Sequence, residues 1–210
     1  MNRTALRSRI RTLTNINSTA LLSDSQINDV LNEVHLVICG SQQWPFLVSS
    51  ATISVVAGDS TYSLPAGATG VLLASRTGNI FEPRQLQAIS VFDADVLPDT
   101  SSNWPMYYTF DNGTLTLYPE PAANETLTVR YISRAEALDS DGDEPPFDEE
   151  FHPAYAYATA ARLLAERGAP QTKVKAMDDL AQQYVERMRR FYLTSSDHAP
   201  VSLGRRRWRW

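Results

Sequence analysis

The sequence predicts an α+β protein. A helical bundle of two N-terminal and two C-terminal helices carries an inserted small antiparallel β-sandwich or barrel and an extended C-terminal tail. Three observations carry this reading. Apolar residues recur every three or four positions before residue 46 and after residue 150. Between them the pattern alternates with a period of two, interrupted by turn residues. Asn112-Gly113 marks a two-residue hairpin, because a type I′ turn needs positive φ at both central positions. The implied division is a discontinuous helical bundle domain (1–46 and 150–197), a β domain (47–135), an acidic linker (136–149) and a docking tail (198–210).

A chain of 210 residues with 43% hydrophobic content can bury a sizeable core in one domain or two associated ones. Its apolar runs are short and interrupted, which predicts no membrane span, and Met1 to Leu22 lacks the apolar stretch of a signal peptide. One cysteine allows no disulfide framework and suits a reducing cytosol. The sequons at Asn17, Asn112 and Asn124 then read as accidental. The net charge of −5 hides a polarity: residues 1–11 hold four Arg and no acid, residues 187–210 hold seven Arg and one Asp, and the remainder is strongly acidic. Ends and body therefore meet different partners. Only two of the 19 bases are Lys, and Arg favours planar, bidentate or stacked contacts.

In chain order, Thr4 to Thr14 reads as a helix with Leu6, Ile10 and Leu13 on one stripe and Arg3, Arg7 and Arg11 on another. That basic row is either a solvated face or a surface for phosphate or an acidic neighbour. Ser23-x-x-Gln26 has capping-box spacing. The apolar positions from Ile27 to Ile38 define a second helix, with Gly40 placed for its C-cap. His35 and Cys39 lie one turn apart on it. A zinc site needs three or four convergent ligands, and the other histidines are His152 and His198, so a structural role is expected for the pair. Trp44-Pro45-Phe46 closes the helical section. Strands follow at Ala51–Val56, Thr61–Leu64 and Gly70–Arg76, a short ambiguous segment at Leu86–Asp95, and a polar loop at Pro98–Pro105. Tyr107–Tyr131 then reads as a three-stranded meander, with Leu115 and Leu117, then Leu127, Val129 and Tyr131, facing inward.

Asp139 to Glu150 is the most acidic stretch. Its carboxylate spacing partly fits a calcium loop, but Glu144 stands where the EF-hand turn requires Gly, so a solvated linker is expected. Pro153 suits the first turn of the third helix. Ala154, Ala156, Ala158, Ala160, Ala161 and Ala165 keep that helix narrow, and Gly168-Ala169-Pro170 stops it. The fourth helix, Gln171 to Leu193, carries Val174, Met177, Ala181, Tyr184, Met188 and Phe191 as a coiled-coil-like stripe for bundle or subunit packing. The tail ends Arg205-Arg206-Arg207-Trp208-Arg209-Trp210. Two Trp in a polar tail suit nucleic acid, a membrane interface, or a fold back onto the domain. Arg and Trp are also the residues enriched at interface hot spots, which favours a docking peptide. Nucleophile elbows, Walker loops and dinucleotide fingerprints are absent, so neither an enzyme nor a bound cofactor or metal is predicted.

The order of elements resembles one known family. An N-terminal helix pair ends in Gln-Gln-Trp-Pro-Phe-Leu. The β insertion holds Tyr-Ser-Leu-Pro, Leu-Thr-Leu-Tyr-Pro-Glu-Pro and Leu-Thr-Val-Arg-Tyr. Two helices and a tail follow. This layout is similar to the head-to-tail adaptor proteins of tailed bacteriophages, the group that includes the tail tubular gatekeeper adaptors of short-tailed phages. The resemblance implies a structural virion protein of the neck, assembled in host cytoplasm. It implies a homo-oligomeric ring, typically of twelve copies, seated beneath the portal protein. It further implies a tail or tail-completion protein as second partner, passage of genomic DNA without sequence-specific binding, and no membrane. On this view Arg205, Arg206, Arg207, Trp208, Arg209 and Trp210 bind the portal. Two other classes stay open: a nucleic-acid-binding protein, and a carbohydrate-binding or other tail-associated β-sandwich protein using the aromatics near Trp104 and Tyr107.

Overall fold

The computed structural model describes residues 1–76, 85–91 and 104–193, and over these the chain is α+β. It divides into two compact units, one of residues 1–46 with 135–210 and one of Leu47–Arg134.

The first unit holds four helices: α1 (Arg3–Thr14), α2 (Asp24–Gly40), α3 (Pro153–Glu166) and α4 (Gln171–Leu193). Local chemistry sets their ends. Asn2 caps α1 by accepting from Ala5 N–H, and Asn15 closes it in the left-handed region. Ser23 and Gln26 form the expected capping box on α2. Gly40 is not the cap it was expected to be. The helix runs through it, Ser41 closes the end in right-handed geometry, and the Ser41 hydroxyl donates to Ile38 O at 2.8 Å. Pro153 opens α3 in its first turn, where no N–H is needed. Gly168, at φ 68°, ends it. α3 is the central helix: Ala154, Tyr155, Ala156, Ala160 and Ala161 are all buried, and its small side chains let α1, α2 and α4 pack around it.

Residues 136–149 are not a free linker. Leu138 and Phe147 are buried in the helical unit, Leu138 N–H donates to Asn32 Oδ1 at 3.0 Å, and Asp141 pairs with α1. Two apolar anchors nine residues apart bind an otherwise acidic stretch to the bundle.

The second unit is a two-sheet sandwich. One sheet has the order β1-β7-β3 and the other β2-β6-β5-β4, with β1 Val48–Val55, β2 Thr61–Ser63, β3 Ala68–Arg76, β4 Gln87–Ala88, β5 Tyr107–Asp111, β6 Thr114–Tyr118 and β7 Glu125–Ser133. The hairpin β5–β6 turns at Asn112 (φ 46°) and Gly113 (φ 82°), as the Asn-Gly signal requires. The expected meander stops there. Pro119 and Pro121 supply no N–H to a ladder, and after that corner β7 crosses to the other sheet, where it is the central strand between β1 and β3. The sandwich is also not wholly antiparallel: β4 runs parallel to β5, with Gln87 opposite Tyr107. Leu115 and Leu117 face Leu127, Val129 and Tyr131 across the core as the alternation predicts, joined by Val55, Leu64, Ala74, Leu86 and Tyr108.

Candidate assembly surfaces

The basic row of α1 is neither solvated nor open to a phosphate. Arg3, Arg7 and Arg11 lie along one face at i, i+4 spacing, and two carboxylates interleave with them. Asp141 accepts from Arg3 at 3.0 Å and Arg7 at 2.9 Å, while Asp24 lies 3.8 Å from Arg7 and 2.6 Å from Arg11. The three Arg side chains keep only 12–14% exposure. Hydrogen bonds from Arg3, then Arg7, hold the Asp141 carboxyl below its ordinary value. The row clips residues 136–149 and the start of α2 to α1. Its partners come from Asp24 and Asp141, positions no local pattern could have paired with it.

The stripe on α4 faces the bundle over most of its length. Ala181 and Met188 are buried, and Val174, Met177 and Tyr184 are half-buried. Tyr184 stacks on Tyr157 of α3 with ring centroids 5.9 Å apart. At the end the spacing changes. Phe191 is 52% exposed, its ring edging Phe151 at 5.6 Å, and Tyr192 takes the inward position. The outer face of α4 runs from Asp178 and Asp179 through Gln182 and Gln183 to Arg187, Arg189 and Arg190, a polarity suited to the helix dipole.

The Trp-Pro-Phe sequence forms a clamp at one end of this unit. Trp44 is wholly buried and its Nε1–H donates at 2.9 Å to Ile38 O, the last-turn carbonyl that Ser41 also caps. Phe46 stacks on Trp44 at 5.5 Å, Tyr192 meets Phe46 edge-on at 5.2 Å, and Phe147 lies 5.4 Å from Phe46. α4 therefore ends, and the C-terminal tail departs, beside the C-terminal end of α2.

Behind the clamp lies a buried polar group. His35 Nε2–H donates to Glu136 O at 2.8 Å, leaving Nδ1 to accept from the Tyr155 hydroxyl at 2.9 Å. Cys39 Sγ lies 3.6 Å from that hydroxyl. Burial holds the imidazole below its ordinary pKa, raises the thiol, and pushes the phenol well up, so all three are neutral near pH 7. His35 and Cys39 thus serve to join α2 to α3 and to residue 136. Among the described residues no cluster of His, Cys, Asp and Glu is placed to hold a metal ion.

In the sandwich unit, the outer face of one sheet shows Ser50, Thr52, Ser54, Thr126 and Thr128. The other shows Thr61, Ser63, Thr114 and Thr116. Arg130 is the base set among the first group. Trp104 has one face covered by the Arg76 guanidinium, 3.4 Å from the ring centre, and Arg76 Nε lies 2.5 Å from Glu125 Oε2. Arg205, Arg206, Arg207, Trp208, Arg209 and Trp210 lie outside the described residues, as do residues 77–84 and 92–103.

Among the described residues no helix is long and apolar enough to cross a membrane. No curated protein matches the sequence. A family model described as SU10 adaptor protein matches residues 1–207. That span takes in both helical pairs, the inserted sandwich and the tail as far as Arg207, so the chain belongs to the SU10 adaptor family, structural head-to-tail adaptors of tailed bacteriophages.

Proposed function

We propose that this adaptor forms a ring, of twelve copies by analogy with its family, that joins the portal protein to the tail and extends the DNA channel. The C-terminal tail is the grip: Trp208 and Trp210 fill apolar pockets on the portal, and Arg205, Arg206, Arg207 and Arg209 pair with acidic residues around them. The observation that carries the adaptor reading is the family match over residues 1–207; the grip is argued from the Arg and Trp chemistry of the tip.

Charge supports the conduit. Residues 47–134 hold eight acids and four bases, and the described outer faces of the sheets are dominated by hydroxyls. Such a surface repels or ignores phosphates and lets DNA slide. A nucleic-acid-binding module would need a basic stripe free to neutralise phosphates, and the row on α1 is spent on Asp24 and Asp141. A carbohydrate site built on Trp104 loses one stacking face to Arg76.

Identical copies in head-to-tail contact close a ring only if the rotation divides the circle, so the portal acts as the template. Sedimentation tests this. The isolated protein is expected to stay sub-ring at micromolar concentration, and a stable closed ring without portal would overturn the template.

A further inference from the structure

The outward side of α2 carries Asp29, Glu33, Leu36, Val37 and Gly40, all exposed. At helical spacing they fall within about 100° of arc, one stripe about 16 Å long. Its first half is acidic. Its second half is apolar, with Leu36 39% and Val37 57% exposed. Gly40 ends it without a local reason: its φ is not in the left-handed region, and a Cβ there would meet nothing within 4 Å. The absent side chain leaves flat ground beside two exposed aliphatic groups.

We propose that this stripe is the resting dock of the same chain's C-terminal tip, Arg205 to Trp210. The chemistries match: two indoles for the Leu36–Val37–Gly40 end, and guanidinium groups for Asp29 and for the exposed Glu33, whose Oε2 also accepts from Arg162 Nη1 of α3 at 3.2 Å. The path is short. The Tyr192 ring lies 6.5 Å from Trp44, and Trp44 donates to Ile38 O, so the tail leaves the bundle next to the apolar end of the stripe. From Leu193 to Trp208 the chain reaches on the order of 50 Å, against a stripe about 16 Å long. A tether of this kind gives an effective concentration of about a millimolar, so a site with a Kd below that fills within its own chain before a neighbour's tail at micromolar concentration competes. The tip cannot occupy α2 and a portal together, so portal docking displaces it. That consequence rests on the portal reading; the dock does not.

The test compares the full chain with its Trp208→Ala/Trp210→Ala variant by methyl NMR. Indole ring currents should shift the Leu36 and Val37 methyl signals in the full chain. The shift should fall to zero in the double variant and stay constant over a tenfold range of protein concentration. Val37→Asp, an exposed substitution that leaves the bundle intact, should raise acrylamide quenching of the tip Trp residues at least twofold. Identical methyl spectra in the two chains would overturn the dock. So would a shift that grows with concentration, which would assign the stripe to a neighbouring copy. The two readings separate cleanly. A normal methyl shift with no portal binding leaves the dock and removes the portal grip, and the reverse result does the opposite.

Discussion

Replacing Tyr155 with Phe isolates one oxygen in the core of the helical unit. The residue is fully buried, and its ring stacks on Phe147 with centroids 5.3 Å apart, a contact that Phe preserves. The loss therefore falls on polar atoms. His35 Nε2 stays committed to Glu136 O at 2.8 Å, so Nδ1 becomes a buried acceptor with no donor, a defect of about 1–3 kcal/mol. Cys39 Sγ sits 3.8 Å from Nδ1 and can turn its weak S–H donor toward it, which places the expected loss at about 1–2 kcal/mol. Urea unfolding near pH 7.5, followed by helical circular dichroism, reads it as a lower midpoint at unchanged slope. The pH dependence is a second reading. Burial lowers the His35 pKa in the folded state, so below the unfolded value of about 6.5 the unfolded chain takes up a proton that the folded chain refuses. Stability from this group is complete above that pH and falls as the solution acidifies. A Tyr155→Phe loss under about 0.3 kcal/mol would refute the claim that the hydroxyl satisfies a buried acceptor.

Four other substitutions test the frame. Asp141→Asn should lower stability at neutral pH. The Asp141 carboxyl is held below its ordinary value by Arg3 and Arg7, so its contribution is present above about pH 3.9 and disappears as pH falls through the lowered folded value; wild type and variant should converge in acid, and parallel curves would contradict the pairing. Gly113→Ala puts a Cβ at φ 82° and should cost the sandwich about 1–2 kcal/mol, read from the Trp104 fluorescence transition. Met188→Ala should cost about 2–5 kcal/mol because Met188 is wholly buried. Phe191→Ala should cost under about 1 kcal/mol; a reversed order would mean that the stripe runs to Phe191 after all.

The helices were legible because their signals are local: the capping box at Ser23 and Gln26, Pro153 at a first turn, Gly168 at a stop, and apolar spacing between. The Asn112-Gly113 hairpin was legible for the same reason. Sheet membership was not. β7 has the right alternation for either sheet, and only long-range pairing with β1 and β3 decides it. The acidic segment misled because charge dominates its composition, while Leu138 and Phe147 were the signal that it is anchored. The fate of the α1 row depended on Asp141, far along the chain. At the end of α4, a spacing of three or four was compatible with Phe191 or Tyr192, and the aromatic clamp around Trp44 and Phe46 selected Tyr192. The tail that the sequence singles out for docking lies outside the described residues, so its role rests on the chemistry of its Arg and Trp residues.

Co-sedimentation with the portal ring encoded by the same genome tests the central claim most directly, comparing the full chain with residues 1–197. The account predicts that the full chain loads onto the portal as a ring and that the shortened chain, still folded by circular dichroism, does not. Equal loading by both forms would contradict the tail as the grip, and loading by neither would contradict the portal as the partner.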